Sequence, residues 1–459
     1  MDTSHLHIYM FNITKTVSRL HMATVQLINP SWENKGGIWK EVSSCFPPIG
    51  LLYIASVLEQ AGHNVQVIDR NVERTSGVEG CVPDYFGVTI TTVLAQEGYR
   101  LCAEAKKKWP NCKTILGGVH ASVCSEEALK HCDIVVKGEG ELVINDIIKN
   151  NLTGIIEGKK VEDIDTLPMP AYHLLDLSKY KPAIGSYKQL PASLMVTSRG
   201  CVGNCVYCYQ PFGRRIRQRS PQKIMDEIQM LVNDHGIREI AFYDDAFTTI
   251  KKNIDEFCKL FIDWQKKWDM KITWTCFARA DWLKPDTAKL MKQAGCHQIL
   301  FGVESGNEHI RQDIVHKNLN LDKVFETNKM LQELGIETRA SFMFGLPEET
   351  VSTMQETIDL AIKLNPDVAS FNIIAPNPGT EAYEWGKKNN CLDDDWNTFD
   401  LASVKLHIPT ATDKEILDAY NKAHKQFYLR PSYMLRKLFK NSLKTNLQGI
   451  KAVLKTVKS

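Results

Sequence analysis
A strand–helix alternation that runs through nearly the whole sequence constrains the fold most. A strand that returns across a helix lies parallel to its predecessor, so repetition of the unit builds parallel sheets. The first apolar, β-rich run is ATVQLIN, Ala23 to Asn29. PIGLLYIASVLEQAG follows with helical apolar spacing, opened by Pro48 and closed by Gly62. HNVQVID ends a second strand at Asp69, and DYFGVTI (Asp84 to Ile90) forms a third. A helix around Glu97 to Trp109, the strand KTILGG, a short helix near Glu126 to His131 and the strand DIVVKG complete the series. Five β–α units in about 130 residues predict a doubly wound parallel sheet.

Ligands of such sheets sit beyond the carboxyl ends of the strands. The loops there carry Pro48 and Gly50, Thr89, Thr91 and Thr92, Gly117, Gly118 and His120, and Gly138 and Glu139. Glycines allow close backbone approach to a bulky ligand, and threonine hydroxyls supply hydrogen bonds. The same glycines would also serve ordinary turns. No GxGxxG follows the first strand, which disfavours a dinucleotide.

Residues 151–190 read as a connector containing Pro168 and Pro170. A second α/β run then begins with ASLMVTS (Ala192 to Ser198) and a helix from Ser220-Pro221 to His235. REIAFYDD, KITWTCFA, HQILFGVE, TRASFMF and VASFNII are further strands, with helices near 251–267, 285–295, 321–335 and 349–364. Six units at this spacing predict a partial barrel of parallel strands. Cys201, Asp244-Asp245, Arg279, Glu304-Ser305 and Gly345-Leu346-Pro347 all fall at carboxyl ends of strands, the rim on which barrels build chemistry.

Charge narrows the partners. With 56 Lys+Arg against 54 Asp+Glu the net charge is +2, which gives no sign of nucleic-acid binding. The longest apolar run, Ile49 to Leu58, is too short to span a bilayer. The first twenty residues lack the parts of a secretory signal, so a cytoplasmic location is expected, with Met22 as a second candidate start. Reduced thiols there favour metal binding or catalysis over disulfides. Of 13 cysteines, ten are scattered singly and read as small buried residues, while Cys201, Cys205 and Cys208 stand together in CVGNCVYC. A structural zinc site wants four ligands, and no fourth lies at a usual spacing. Three thiolates suit a [4Fe–4S] cluster with one iron open to an external ligand.

CVGNCVYC, with Tyr207 before the third cysteine, resembles the CxxxCxxC signature of radical S-adenosylmethionine (SAM) enzymes. The resemblance runs from about Ala192 to Pro378: IAFYDDAFT, GVESGNEHIR, FMFGLPEET and APNPGT resemble the motifs at later strands. It implies Cys201, Cys205 and Cys208 as cluster ligands and Tyr207, Asp244, Asp245, Arg279, Glu304, Ser305 and Gly345 at SAM. Asp244 and Asp245 would face its ammonium, Arg279 its carboxylate, Glu304 and Ser305 its ribose. The first segment is similar to the cobalamin-binding domain of the B12-dependent class, on FPPIGLLYIASVLEQAGHNVQVID, LGGVHASV and VVKGEGE. That implies cobalamin contacts from Pro48, Gly50, Thr89, Thr91, Thr92, Gly117, Gly118, His120, Gly138 and Glu139. The loop from Pro30 to Pro48 holds Trp32 and Trp39 but no histidine, so the cobalamin is expected base-off, without a histidine ligand. His120 is expected beside the ring instead.

The expected fold class is therefore α/β. A doubly wound Rossmann-like cobalamin-binding sheet (22–150) and a linker (151–190) precede a partial (β/α)6 radical SAM barrel (191–400) and a C-terminal helical, basic segment (401–459). From Asn421 onward there is no acidic residue but ten Lys and Arg, with Leu435, Leu438, Phe439 and Leu443 at helical spacing. A helix packed on the domain with a solvated basic face is the first reading, and contact with a membrane surface the second. The resemblance implies methyl transfer from methylcobalamin to an unactivated carbon, or, as the alternative, oxidative cyclisation without net methylation. It also implies a small-molecule or lipid-like substrate and a reductant protein such as flavodoxin or ferredoxin.

Overall fold
In the computed structural model, which describes residues 22–31, 45–73, 75–183, 185–245, 247–393, 395–399 and 402–440, every strand expected above forms in one of two parallel sheets. The first sheet contains β1 (Thr24–Asn29), β2 (Asn64–Asp69), β3 (Tyr85–Thr89), β4 (Lys113–Gly117), β5 (Ile134–Lys137) and β6 (Gly154–Glu157). Its order is β2-β1-β3-β4-β5-β6, so the strand order reverses between β1 and β3. β6 is an addition: it pairs with β5 inside the segment read as connector, because four residues, GIIE, are too short a run to show a period.

Helices α1 (Ile49–Gln60) and α2 (Ala95–Lys108) cover opposite faces of this sheet, and α3 (Val119–Val123), α4 (Ser125–Ala128) and α5 (Ile144–Lys149) fill the later crossovers. The α2 face closes its own core around Phe86, Val88, Leu101 and Leu116. The α1 face does not close: Leu52, Tyr53 and Leu58 belong to the same apolar cluster as the barrel interior.

The second sheet begins at β7 (Ala192–Met195) and, past a two-stranded hairpin of β8 (Ser198–Arg199) and β9 (Arg217–Gln218), continues through β10 (Glu239–Phe242), β11 (Thr273–Phe277), β12 (Cys296–Glu304), β13 (Glu337–Phe344) and β14 (Val368–Ile373). Helices α6 (Pro221–His235), α7 (Lys251–Lys267), α8 (Pro285–Gln293), α9 (Leu321–Glu333) and α10 (Val351–Leu364) connect the strands on the outside. The start signal of α6 works as expected: the Ser220 hydroxyl accepts from Lys223 N–H, Pro221 opens the first turn, and Gly236 closes the helix at φ 65°.

The connector straps the two sheets together. Tyr172 reaches Glu227 at 2.8 Å, Tyr180 reaches Asp69 at 3.0 Å, and the Ala171 N–H donates to Leu52 O at 3.1 Å. Beyond the barrel lie α11 (Glu381–Lys388), α12 (Asp413–Tyr428) and α13 (Pro431–Lys440). Arg430 donates to Ile362 O at 3.0 Å and Arg436 to Pro366 O at 2.9 Å, so these two basic residues satisfy carbonyls at the end of α10. Leu443 and the lysines from Lys444 onward lie outside the described residues. No helix among the described residues is long and apolar enough to cross a membrane.

Candidate functional site
The cysteine loop hangs from β7 and is pinned at both ends. Ser198 pairs with Gln218 and Arg199 with Arg217 across the β8–β9 hairpin. Gly200 adopts φ 97°, and a Cβ there would press on Gly213 O at 2.9 Å, so the turn into Cys201 admits glycine alone. Within the loop, the Cys208 N–H donates to Cys205 O, and Val206 bonds Val315. A Cβ built on Gly203 would stand 3.4 Å from Cys201 Sγ and 4.0 Å from Cys205 Sγ, so both thiols face one spot. All three cysteines are free thiols. Burial pushes Cys208 up to about 12, and pushes Cys205 up against the opposing pull of Lys317. Such thiols ionise when a metal compensates the charge. Among the described residues no three Cys, His, Asp or Glu converge on a single ion, as zinc would require. Soft donors spread along one loop fit a polynuclear iron–sulfur group.

The expected SAM residues divide. Asp245 is exposed beside the loop, accepts from Gly200 N–H, and adds its charge to the field at Cys208. Asp244 turns the other way, as strand alternation requires, and is 1% exposed. It accepts from Thr197 N–H at 2.8 Å, Thr197 Oγ1 at 3.0 Å and Ser198 Oγ at 2.7 Å, and burial raises its carboxyl to about 6. Asp244 therefore positions the cysteine loop through Oδ1, while its Oδ2 is buried with no hydrogen-bond partner among the described residues.

Glu304 ends β12 at φ 72°, after a bulge between Gly302 and Glu304. Its side chain folds back over Gly302, where a Cβ would collide with it and with Lys317. Lys317 Nζ pairs with Glu304 Oε1 at 2.6 Å, and the Tyr207 hydroxyl hydrogen-bonds both Glu304 and Cys205. The cysteine loop, Tyr207, Glu304 and Lys317 thus form one connected group. Lys317 was missed from sequence, because only the bulge brings it to Glu304. Ser305, in contrast, is fully buried against Thr357 at 3.3 Å, under α10. Arg279 is also committed elsewhere: it pairs with Asp281 at 3.0 Å and lies over the Trp282 ring at 4.6 Å. Gly345 turns at φ 77° after β13, and buried Glu349 accepts from the N–H of Gly345 and Leu346.

On the first sheet, Gly50, Gly117 and Gly138 lie at or just past strand ends or in the first turn of α1, and a Cβ on any of them would meet no atom within 4 Å. Val119, Leu142 and Val202 are exposed. Open glycines with apolar neighbours offer a cradle for a large ring with an apolar body. Pro48 precedes α1, Thr89 ends β3, and Thr91 stands exposed before the next turn. Gly118 at φ 96° packs against Ile90 and Thr89, so its role is backbone geometry. Three of the expected contacts are buried against other side chains of the protein. His120 is buried, with its nitrogens on Thr92 Oγ1 (3.3 Å) and Tyr99 OH (3.1 Å) and its ring edge-on to Trp396. Thr92 is turned to that histidine. Glu139 is likewise buried, held by Arg217 at 2.6 Å and Arg199 at 2.7 Å. It clamps the sheet edge to the hairpin that carries the cysteines. The loop with Trp32 and Trp39, on which the cobalt-ligand expectation rests, lies outside the described residues.

Known proteins match both halves. The model of the radical SAM superfamily matches residues 195–361, and that of the B12 binding domain matches residues 37–148. An uncharacterised methyltransferase of Pyrococcus horikoshii is 31% identical over 449 residues, covering 91% of this chain and 95% of that protein. The anaerobic magnesium-protoporphyrin IX monomethyl ester cyclase of Rubrivivax gelatinosus is 28% identical over 89% of this chain and 78% of its own. Among solved structures, the radical SAM methyltransferase TsrM of Kitasatospora setae, with cobalamin and a [4Fe–4S] cluster bound, superposes at a TM-score of 0.68 over 90% of both chains, at 16% identity. That likeness extends the shared fold over both sheets.

Proposed function
The chain belongs to the radical SAM superfamily, among the enzymes that carry a B12 binding domain ahead of the barrel, and we propose that it is a cobalamin-dependent methyltransferase acting on a carbon of a small substrate. The observation that carries this reading is the clamp of Glu139 on Arg199 and Arg217, which joins the ligand edge of the first sheet to the cysteine hairpin. When bound, the cluster with SAM supplies one-electron cleavage of a sulfonium bond, and cobalamin supplies a transferable methyl group.

The chain's part is to hold and to exclude. Cys201, Cys205 and Cys208 would hold the cluster with three thiolates, a set that leaves room for an external ligand such as SAM. Asp245 offers an acceptor to an ammonium group, and Lys317 puts a positive charge beside the thiolates and Glu304. Tyr207 fixes Glu304 from the loop side. Gly50, Gly117 and Gly138 would leave room for the corrin, and exposed Val119 and Leu142 would offer it apolar surface. Tyr243 and Phe277 pack edge-on at 5.2 Å at the ends of adjacent strands and give the barrel mouth an aromatic wall. A reductant such as a flavodoxin or ferredoxin delivers the electron.

Two measurements test this. Cys205→Ala should lower bound iron and acid-labile sulfide to background while the chain stays folded; a cluster that persists refutes the ligand assignment. Anaerobic incubation of the reconstituted chain with reductant, cobalamin and SAM labelled in its methyl group should yield labelled cobalamin and S-adenosylhomocysteine. Release of 5′-deoxyadenosine with no S-adenosylhomocysteine would overturn methyl transfer and leave the cyclase-like outcome of the Rubrivivax relative.

A further inference from the structure
The barrel lumen contains a cavity of about 300 Å³ with a chemistry of its own. Along β13, alternate side chains face inward, which puts Arg339 and Ser341 on the lumen side. Arg339, Leu300 and Phe277 stand in register across β13, β12 and β11. The Arg339 Nε–H donates to Ser370 Oγ at 3.1 Å, and no carboxylate among the described residues forms an ion pair with the guanidinium. Glu337, two residues earlier on the same strand, accepts from Gln298 Nε2. That amide also donates to Gly185 O at 3.1 Å, which fixes its orientation and leaves Gln298 Oε1 buried with no partner. Tyr243, Phe277 and Phe46 supply the aromatic wall: Phe46 packs against Tyr243 at 5.0 Å, and Tyr243 against Phe277. Phe46 precedes α1, so the cobalamin-binding half contributes to this wall.

A partly buried guanidinium with no counter-ion among the described residues, beside an acceptor with no partner among them, is costly against an apolar wall and is compensated by an oxyanion with a nearby N–H or O–H. Resting on the reading of the chain as a radical enzyme whose substrate enters the barrel, we propose that this cavity is the substrate site and selects a compact aromatic or apolar molecule bearing an oxyanion, bound by Arg339 with Ser370. SAM has its own carboxylate, and its expected ribose residues, Glu304 and Ser305, lie at the end of β12. Arg339 precedes the end of β13 by five residues but stands level with Phe277, the last residue of β11, so the SAM-affinity arm of the test below is what separates the two carboxylates.

The test uses the reconstituted full chain and reads binding, not turnover. The probes are 3-phenylpropanoate, its neutral amide 3-phenylpropanamide, and inorganic phosphate, each followed by equilibrium dialysis. The wild type should prefer the acid over the amide by roughly tenfold, as loss of a charge-assisted pair predicts. Arg339→Gln should abolish that preference, and Arg339→Lys should retain part of it, which separates lost charge from lost folding. Phosphate should compete with the acid but not with the amide. Equal binding of acid and amide, or no binding of the acid at millimolar concentration, overturns the proposal. So does a R339Q chain that loses SAM affinity, since the arginine would then serve the SAM carboxylate. Iron and sulfide content is measured on the same samples. A chain with a full cluster and no acid preference sinks this inference alone, whereas a chain that assembles no cluster sinks the radical-enzyme reading.

Discussion
Glu349 is enclosed on all sides, with Oε2 accepting from Leu346 N–H at 3.1 Å and Oε1 without a partner. Burial raises its carboxyl from 4.5 to about 8. The folded chain therefore keeps a proton that the unfolded chain gives up near pH 4.5, and the resulting stability is full below that pH and lost as pH rises through about 8. Wild type should lose thermal stability across this window relative to Glu349→Gln, which has no charge to bury. A pH-independent difference in melting temperature between the two would sink the assignment. Asp244 gives a second test. Asp244→Asn keeps an acceptor for Thr197 and Ser198 and should assemble its cluster, whereas Asp244→Ala strands buried donors and should cost roughly 2–4 kcal/mol together with iron content. Equal iron in both variants would deny Asp244 its positioning role. These two carboxylates show where sequence reading stops at this scale. Asp244 and Asp245 are both legible as rim residues, but alternation buries Asp244 beneath the loop and leaves Asp245 exposed beside it. Lys317 was not legible, since a bulge and a positive φ at Glu304 create its contact.

At the scale of elements, the decisive contact joins the loop after β5 to the β8–β9 hairpin. Arg217 and Arg199 are 4% and 6% exposed, and Glu139 is the carboxylate they share, with Glu141 adding a second partner to Arg199. Removing one member of such a group leaves an uncompensated buried charge, so Glu139→Ala should cost about 3–5 kcal/mol in urea unfolding. Because the hairpin carries the cysteines, cluster retention should fall with it. A loss under about 1 kcal/mol would mean that water reaches the arginines and that the clamp is dispensable. The strands and long helices were readable because each spans several periods of its pattern. The hairpin was not, since two-residue strands have no period, and neither was the clamp, since GEGE reads equally as a ligand loop. For α12 the signal was available: Thr412 and Glu415 form a reciprocal capping box, the T-x-x-E pattern.

On the scale of the whole molecule, length and spacing suggest two α/β domains, but the apolar core does not divide that way. α1 buries seven of its twelve residues, among them Leu52 and Tyr53, because it is covered by its own sheet on one side and by the connector and barrel on the other. Its hydrophobic pattern carries no clear polar face, which is why periodicity could locate the helix but not its second partner. The α1 face of the first sheet thus finishes its core only against the second half, while the α2 face closes a core of its own against which Trp396 of the second half packs. Two consequences are measurable. Residues 22–160 expressed alone should expose the α1 face and bind a hydrophobic dye or self-associate. In the full chain, amides of β1 and β12 should share one unfolding free energy in native-state hydrogen exchange, since neither core survives loss of the other. If β1 exchanged through a lower-energy opening while β12 stayed protected, the first sheet would be an independent unit that docks on the barrel. The position of its ligand edge would then depend on the Glu139 clamp and the connector's bonds from Tyr180 to Asp69 and Ala171 to Leu52.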